Sequence, residues 1–442
     1  MKDFVLSFVY MALAPATGIL FAQQAPAPTG SIAIQHATVI NVETGSRAMD
    51  QTVVVSGNRI AAVGSSANVK APGGARVVDG AGKFLIPGLW DAHIHSIHVK
   101  FEETLPIAVA RGITDARDMG SPIPYLLRAR KAIDEGMLTP RLFVSGAYLD
   151  GEASALNDSF PPEDEVLVKT PEEARQLVDQ LAALKVDFIK VHNGLKRDVY
   201  LAGADEAKKK GLMFVGHLQP GFDIVETSDL GQRTIEHMNG LQAACVANPA
   251  DLRRAAPNTP PPTEPIKIDE AKCEDVARHL ARNGTYFSPT PIGAPGQGAK
   301  RMRDFNLKIV YIAFKAGVPL LAGTDWPGPG YMKGNYAAFD KSPQDELAGF
   351  VEAGLTPLEA LRTDTLNPAK LFHKTKELGS VQKGMLADLD LLDGDPLADI
   401  NNTRRVNTVI VNGRLIDAAE RKKILDADAA RRNIAPSNAA TR

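Results

Sequence analysis

Cysteine is almost absent, with Cys245 and Cys273 the only two in 442 residues. An exported chain could join them, but sequence separation does not show that their Cα atoms come within bonding reach. No cysteine follows the N-terminal leader, which sets aside a lipid anchor at that point. Charge of one sign is not in excess either: 50 basic residues face 52 acidic ones, a formal net charge of −2. A nucleic-acid binder would show a basic surplus or stripe, so no nucleic-acid partner is expected. Gly and Pro, 37 and 30 of them, are too few for a disordered chain of this length. Beyond the leader no apolar run reaches transmembrane length. A G-x-S-x-G elbow is also missing, which disfavours a serine hydrolase.

The leader, "MKDFVLSFVYMALAPATGILFA", runs apolar from Phe4 to Ala14 before Pro15 and Gly18 break it. It reads as a signal peptide over 1–22, with a periplasmic or secreted mature protein that keeps no membrane contact once the leader is removed. A retained anchor and an ordinary N-terminal helix are the alternatives, although the run is short for a spanning helix.

Residues 31–86 and 376–417 are short, β-branched segments punctuated by Gly and Asn, such as "QTVVVSG" and "NTVIVNGRLI". Each is too small to bury a core alone, so the two are expected to meet as one small β-sandwich domain. Between them, over 87–375, eight candidate strands alternate with helical patterns: 88–95, 112–120, 141–148, 187–193, 212–217, 233–238, 285–290 and 318–325. The expected fold class is α/β, a (β/α)8 TIM barrel carrying that small domain, with a doubly wound open sheet as the alternative. Residues 418–442 read as a helix and a frayed tail.

Barrel chemistry sits where strands end at their C-terminal side. "DAHIH" puts His93 and His95 on one side of the first strand, with Ile94 opposite. Two imidazoles so spaced can share a divalent metal, although an isolated HxH is as often two packing histidines. His217 ends the fifth strand, His237 the sixth, and Asp325 of "LLAGTDW" follows the eighth. An aspartate there can ligate metal and carry a proton, or simply cap a helix. Nine histidines are present, and four fall at predicted strand ends; the others are His36, His98, His192, His279 and His373.

"KVDFIKVHNG" is the odd segment, because Lys190 interrupts a buried apolar strand. A desolvated amine loses its proton more readily and, as the free base, can take up carbon dioxide. The resulting carbamate would turn a costly buried cation into an anionic bridge between two metals. The bland alternative is a lysine whose stem packs while its head reaches water.

Together these residues resemble the amidohydrolase superfamily across nearly the whole mature chain. "IPGLWDAHIH", "GITDARDMG", "DFIKVHNG", "IEHMNG" and "AGTDW" fall in its order, and "LNPAKLFH" with "GSVQKGMLADLDLLDGDPLADI" is similar to its return to the small domain. Within it the chain looks most like the imidazolonepropionase-like group, particularly its lysine-containing, prolidase-like members. The resemblance implies two divalent metal ions, zinc first among candidates. His93, His95 and Asp325 would hold the more buried ion, His217 and His237 the second, and carboxylated Lys190 would lie between. Imidazolonepropionase itself is mononuclear and lacks that lysine, which argues against its activity.

The implied reaction is hydrolysis, a metal-bound hydroxide attacking a carbonyl carbon while Asp325 moves the proton to the leaving nitrogen. The substrate would be a small molecule or short peptide with an amide bond, a dipeptide such as Xaa-Pro or an N-acyl amino acid. A lactone, cyclic amide or organophosphate ester hydrolase of the same architecture, and a non-catalytic metal-binding homologue, are the alternatives. Arg117, Tyr148, His192, Tyr331 and Lys333 are the candidate substrate-binding residues. Assembly into a homo-oligomer is left open.

Overall fold

In the computed structural model, residues 30–97, 100–151, 166–252, 264–290, 297–326 and 342–434 are described. The leader, Tyr331, Lys333 and His98 lie outside them. The N-terminal strands are β1 (Ser31–Ile40), β2 (Arg47–Ser56), β3 (Arg59–Ser65), β4 (Arg76–Asp79) and β5 (Phe84–Pro87). The middle of the chain supplies β6 (Leu89–Ile94), β7 (Ile113–Asp118), β8 (Arg141–Val144), β9 (Phe188–Val191), β10 (Met213–Gly216), β11 (Thr234–Glu236) and β12 (Tyr286–Ser288). The C-terminal part adds β13 (Leu389–Leu392), β14 (Val406–Val411) and β15 (Arg414–Ile416).

The two terminal segments pair in one eight-stranded sheet, ordered β15-β14-β13-β5-β1-β2-β3 with β4 also on β1. Asn412 and Gly413 connect β14 to β15 with φ of 47° and 76°, the left-handed pair that a two-residue hairpin of this hand requires. Ile34, Val53, Leu85, Leu389, Leu391 and Ile410 share one core, so neither segment buries its apolar face without the other.

The middle strands are all parallel, in two groups ordered β6-β7-β8 and β12-β11-β10-β9. Helices separate most of them. Pro171–Ala183 is an example: Thr170 and Glu173 form a reciprocal capping box and Pro171 occupies the first turn. The groups are joined at both sides. Leu149, beyond the end of β8, bridges Val191 of β9. The stretch expected as an eighth strand is not regular, but Leu320 bridges β12 and Trp326 bridges β6. It ends at Asp325, which stands at φ 53°, off an extended course.

Inside this arrangement Trp90, Phe143, Phe188 and Val215 pack with Leu386 of the terminal segment. Trp90 and Phe143 stack at 4.9 Å. These residues precede the polar ones on their strands, so an apolar layer floors the site. The helix Ala418–Ile434 docks on Phe101–Ala110 through Arg111–Asp428 at 3.7 Å and an Arg421 hydrogen bond to the Ala110 carbonyl. Among the described residues no helix is long and apolar enough to cross a membrane.

Cys245 and Cys273 are bonded, and both are buried. The bond ties the helix Asn239–Cys245, which directly follows His237, to Glu270–Asn283. A sequence separation of 28 corresponds to roughly 3–4 kcal/mol on chain-entropy arguments. Cys245→Ser/Cys273→Ser is therefore expected to lower the urea midpoint markedly, and reductant should do the same to the parent. An unchanged midpoint would show that the crosslink constrains little.

Candidate metal centre

His93 belongs to β6 and His95 directly follows it, and the pairing of β6 with β7 shifts between Asp91 and Ile94. The irregularity keeps Ile94 in the helix-side core and lets both imidazoles reach Asp325. His93 Nε2 is 3.5 Å and His95 Nε2 3.4 Å from Asp325 Oδ1. His217, at the end of β10, has its Nε2 2.9 Å from His237 Nε2. The His93 and His237 rings lie 4.9 Å apart, which brings the two halves together. Ligand atoms of His93, His237 and Asp325 all lie within 4.8 Å of one another.

Lys190 belongs to the same space. Alternation on β9 gives Phe188 and Lys190 one direction and Ile189 and Val191 the other. Lys190 is fully buried, and its Nζ has no hydrogen-bond partner. Burial pulls its pKa down to about 8, although the charges of Glu236 and Asp325 pull the other way. Burial first, and the Lys190 charge second, holds His93 and His217 well below the usual histidine range. Burial likewise lowers His237, against the Asp325 charge. These three imidazoles are thus neutral, the form in which histidine ligates metal. Burial opposes ionisation of Asp325, but a hydrogen bond from His95 works against it, and the carboxylate stays far below its ordinary range.

Two of these candidate ligands stand on left-handed backbone, His237 at φ 62° and Asp325 at φ 53°. Histidine and aspartate rarely adopt this conformation without a reason in the surrounding structure. Strand alternation would turn His237 away from Glu236 and toward the helices; the positive φ brings it back to the mouth. Three of the imidazoles are held from behind. His237 Nδ1 meets Thr290 Oγ1 at 2.7 Å, His217 Nδ1 meets Asn193 Oδ1 at 3.1 Å, and His93 Nδ1 meets Glu236 Oε2 at 2.7 Å. Asp91 accepts from the Thr324 hydroxyl at 2.6 Å and from the His93 amide at 3.2 Å, which clamps the Asp325 segment onto β6.

A metal fits these residues. Ligand atoms on one tetrahedral zinc, about 2.05 Å from the ion, stand roughly 3.3 Å apart. The 3.4 and 3.5 Å separations about Asp325 match that spacing, and the 2.9 Å between His217 and His237 is slightly tighter. His93 Nε2 is also buried without a hydrogen-bond partner. Two orphaned buried polar atoms, this one and Lys190 Nζ, are what a cation and an anionic bridge would satisfy.

Of the expected substrate residues, Tyr148 and His192 are near the centre. The Tyr148 hydroxyl is 3.1 Å from His95 Nδ1, and its ring is 5.1 Å from that of His192. His192 Nδ1 lies 3.1 Å from Asp150 and its ring 4.5 Å from His217. Arg117 stands elsewhere than expected. It is 1% exposed and directs its guanidinium at Glu236, not at the mouth, because burial leaves that charge in need of an interior partner. Tyr331 and Lys333 fall outside the described residues. Glu236 was not anticipated; an acidic residue inside the three-residue strand before a histidine was its only signal.

Gly323 sets the approach of the Asp325 segment. A Cβ there would lie 2.6 Å from His93 Cβ and 2.7 Å from its backbone nitrogen. Gly323→Ala is expected to push His93 and Asp325 apart, lowering metal content and costing about 1–3 kcal/mol of stability. Metal analysis and a melt of the purified variant read both effects; a variant equal to the parent would show that the segment has slack.

Residues 84–416 match the amidohydrolase family, and the chain belongs to it. It is 25% identical over 405 residues to an adenine deaminase of Rubrobacter xylanophilus, matching 87% of this chain but spanning only 57% of that relative. It is 24% identical over 408 residues to an imidazolonepropionase of Idiomarina loihiensis, covering 85% of this chain and 93% of the relative. A Xaa-Pro dipeptidase structure with methionine bound in its active site superposes with a TM-score of 0.67 at 19% identity, over 88% of this chain and all of that one.

Proposed function

We propose that this protein is a two-metal hydrolase that cleaves an amide bond in a dipeptide or N-acyl amino acid. The carrying observation is Lys190, a fully buried amine without a hydrogen-bond partner among neutral imidazoles. His93, His95 and Asp325 would hold one cation and His217 and His237 the other. Carboxylation of the Lys190 amine forms an N–C bond to carbon dioxide and releases one proton, leaving two carboxylate oxygens between the two groups. Bound there, the cations would supply Lewis-acid polarisation of a carbonyl and acidification of water.

The chain's own residues do the rest. Asp325 is an ionised carboxylate with His93 and His95 on one oxygen and about a third of its side chain open to solvent. It accepts a proton from the attacking water and returns it to the leaving nitrogen. The Tyr148 hydroxyl and the His192 ring lie beside His95 and His217, and would offer polar contacts to a substrate carbonyl or carboxylate. The apolar floor of Trp90, Phe143 and Phe188 closes the opposite side to water.

The finer architecture belongs to the same reading. The bridges at Leu149 and at Leu320 and Trp326 support a closed (β/α)8 barrel. β1 pairs along one edge with β4 at Ile32–Gln35 and with β5 at Thr38–Val39, a fork that supports a terminal sheet folded into a sandwich. The buried disulfide supports export to an oxidising compartment.

The deciding experiment is metal analysis followed by a substrate panel on metal-replete enzyme. Xaa-Pro dipeptides, N-acyl amino acids, cyclic imides, lactones, organophosphate esters and adenine separate the alternatives. Two metals per chain with turnover of the first two classes is the expected result. Turnover confined to the other compounds would refute the substrate class, and metal below one per chain would refute the site.

A further inference from the structure

Arg117 and Glu236 form a closed unit behind His93. Both Glu236 oxygens lie 2.9 Å from Arg117 Nη2, and Oε2 is 2.7 Å from His93 Nδ1. Arg117 Nη1 donates to Thr234 Oγ1 at 3.1 Å, its Nε donates to the Ala92 carbonyl, and the Thr234 hydroxyl donates to Glu236 Oε1. The two charged residues and His93 are all at least 98% buried. The unit therefore joins β6, β7 and β11 across the interior.

Its geometry does more than tie strands. An ionised carboxylate only accepts hydrogen bonds, so the ring nitrogen facing it must carry the hydrogen. With Nδ1 protonated, neutral His93 presents a lone pair on Nε2, the atom directed at Asp325. Arg117 meets both carboxylate oxygens through Nη2, and its Nη1 and Nε, held by Thr234 and Ala92, fix the guanidinium against the group. Glu236 also precedes His237 directly, so rotation of its backbone would move a second ligand.

We propose that Arg117 and Glu236 are positioning residues of the metal centre, which set the tautomer and orientation of His93. The proposal rests on the metal-hydrolase reading for its consequence, though not for its test. Groups that support a ligating histidine typically change metal affinity 10- to 100-fold when removed. A purely structural pair would behave otherwise, because a buried ion pair replaced by apolar side chains of similar size often leaves stability unchanged or raised.

Two variants of the full chain separate these cases: Arg117→Met/Glu236→Met, which removes both charges, and Glu236→Gln, which keeps shape and removes one. Ring nitrogen-15 spectra of histidine-labelled, metal-free protein report the tautomer, with His93 assigned by loss of its signal in His93→Asn. The parent is expected to show hydrogen on Nδ1, and both variants a mixed or reversed population. Zinc affinity should fall 10- to 100-fold, and the visible spectrum of cobalt-loaded protein should shift, with circular dichroism unchanged. Should the double variant fail to fold, Glu236→Gln carries the test alone. An unaltered His93 tautomer with parental zinc affinity in the folded variants would overturn the proposal. A tautomer that changes while the parent itself binds no zinc would support the positioning role and defeat the metal reading instead.

Discussion

Lys190→Ala is expected to lower turnover by more than about 100-fold and to reduce bound metal to one ion per chain or fewer. The floor of that estimate comes from groups that merely support ligands, whose loss costs 10- to 100-fold; a bridging ligand should cost more. Lys190→Met sharpens the argument, because it keeps the length of the stem and removes only the amine. In metal-free protein that amine is a burden. Its pKa is about 8 in the fold against 10.5 unperturbed, so between those values the unfolded chain binds more protons than the native one. The penalty is fully present below pH 8 and is relieved as pH rises toward 10.5. Metal-free Lys190→Met should thus be more stable than the metal-free parent at pH 7, by up to about 3 kcal/mol, and that advantage should shrink toward pH 10.5. Urea titrations at both pH values check it. A residue that destabilises the bare fold is retained for what it holds, so equal stability together with unaltered metal content would remove the central role assigned to Lys190.

Asp325→Asn is expected to cut kcat by about 10³-fold or more while leaving part of the metal in place. Proton transfer by a positioned side chain contributes 10²- to 10⁴-fold, and the amide cannot take up the proton. Asparagine is the right replacement on backbone grounds. Residue 325 stands at φ 53°, a conformation that asparagine shares with aspartate and that alanine would occupy under strain. Asp325→Ala would mix backbone strain with loss of chemistry, whereas Asp325→Asn isolates the carboxylate. Steady-state kinetics with metal content measured on the same sample gives the answer. A loss of less than tenfold would place proton transfer on another group.

Much of the centre could be read from strand ends. HxH spacing, a histidine closing each of two apolar strands, an aspartate after a third and a lysine inside a fourth are all local patterns, and each side chain lies in the shared space. What could not be read was direction. His237 and Asp325 reach that space through positive φ, which no alternation rule supplies. The stretch before Asp325 also departs from a regular eighth strand. Arg117 is expected at the substrate because a guanidinium suits a substrate carboxylate. Its partner lies 119 residues away on β11, and only the fold brings the pair together. The pairing of Cys245 with Cys273 is equally a matter of packing, since both sit on helices that face each other after β11.

The most direct measurement is a crystal structure of protein loaded with zinc in the presence of bicarbonate, with anomalous scattering at the zinc edge. Two peaks are expected, one among His93, His95 and Asp325 and one between His217 and His237, with density continuing from Lys190 Nζ to both. A single peak, or none, with an unmodified Lys190 amine would contradict the account.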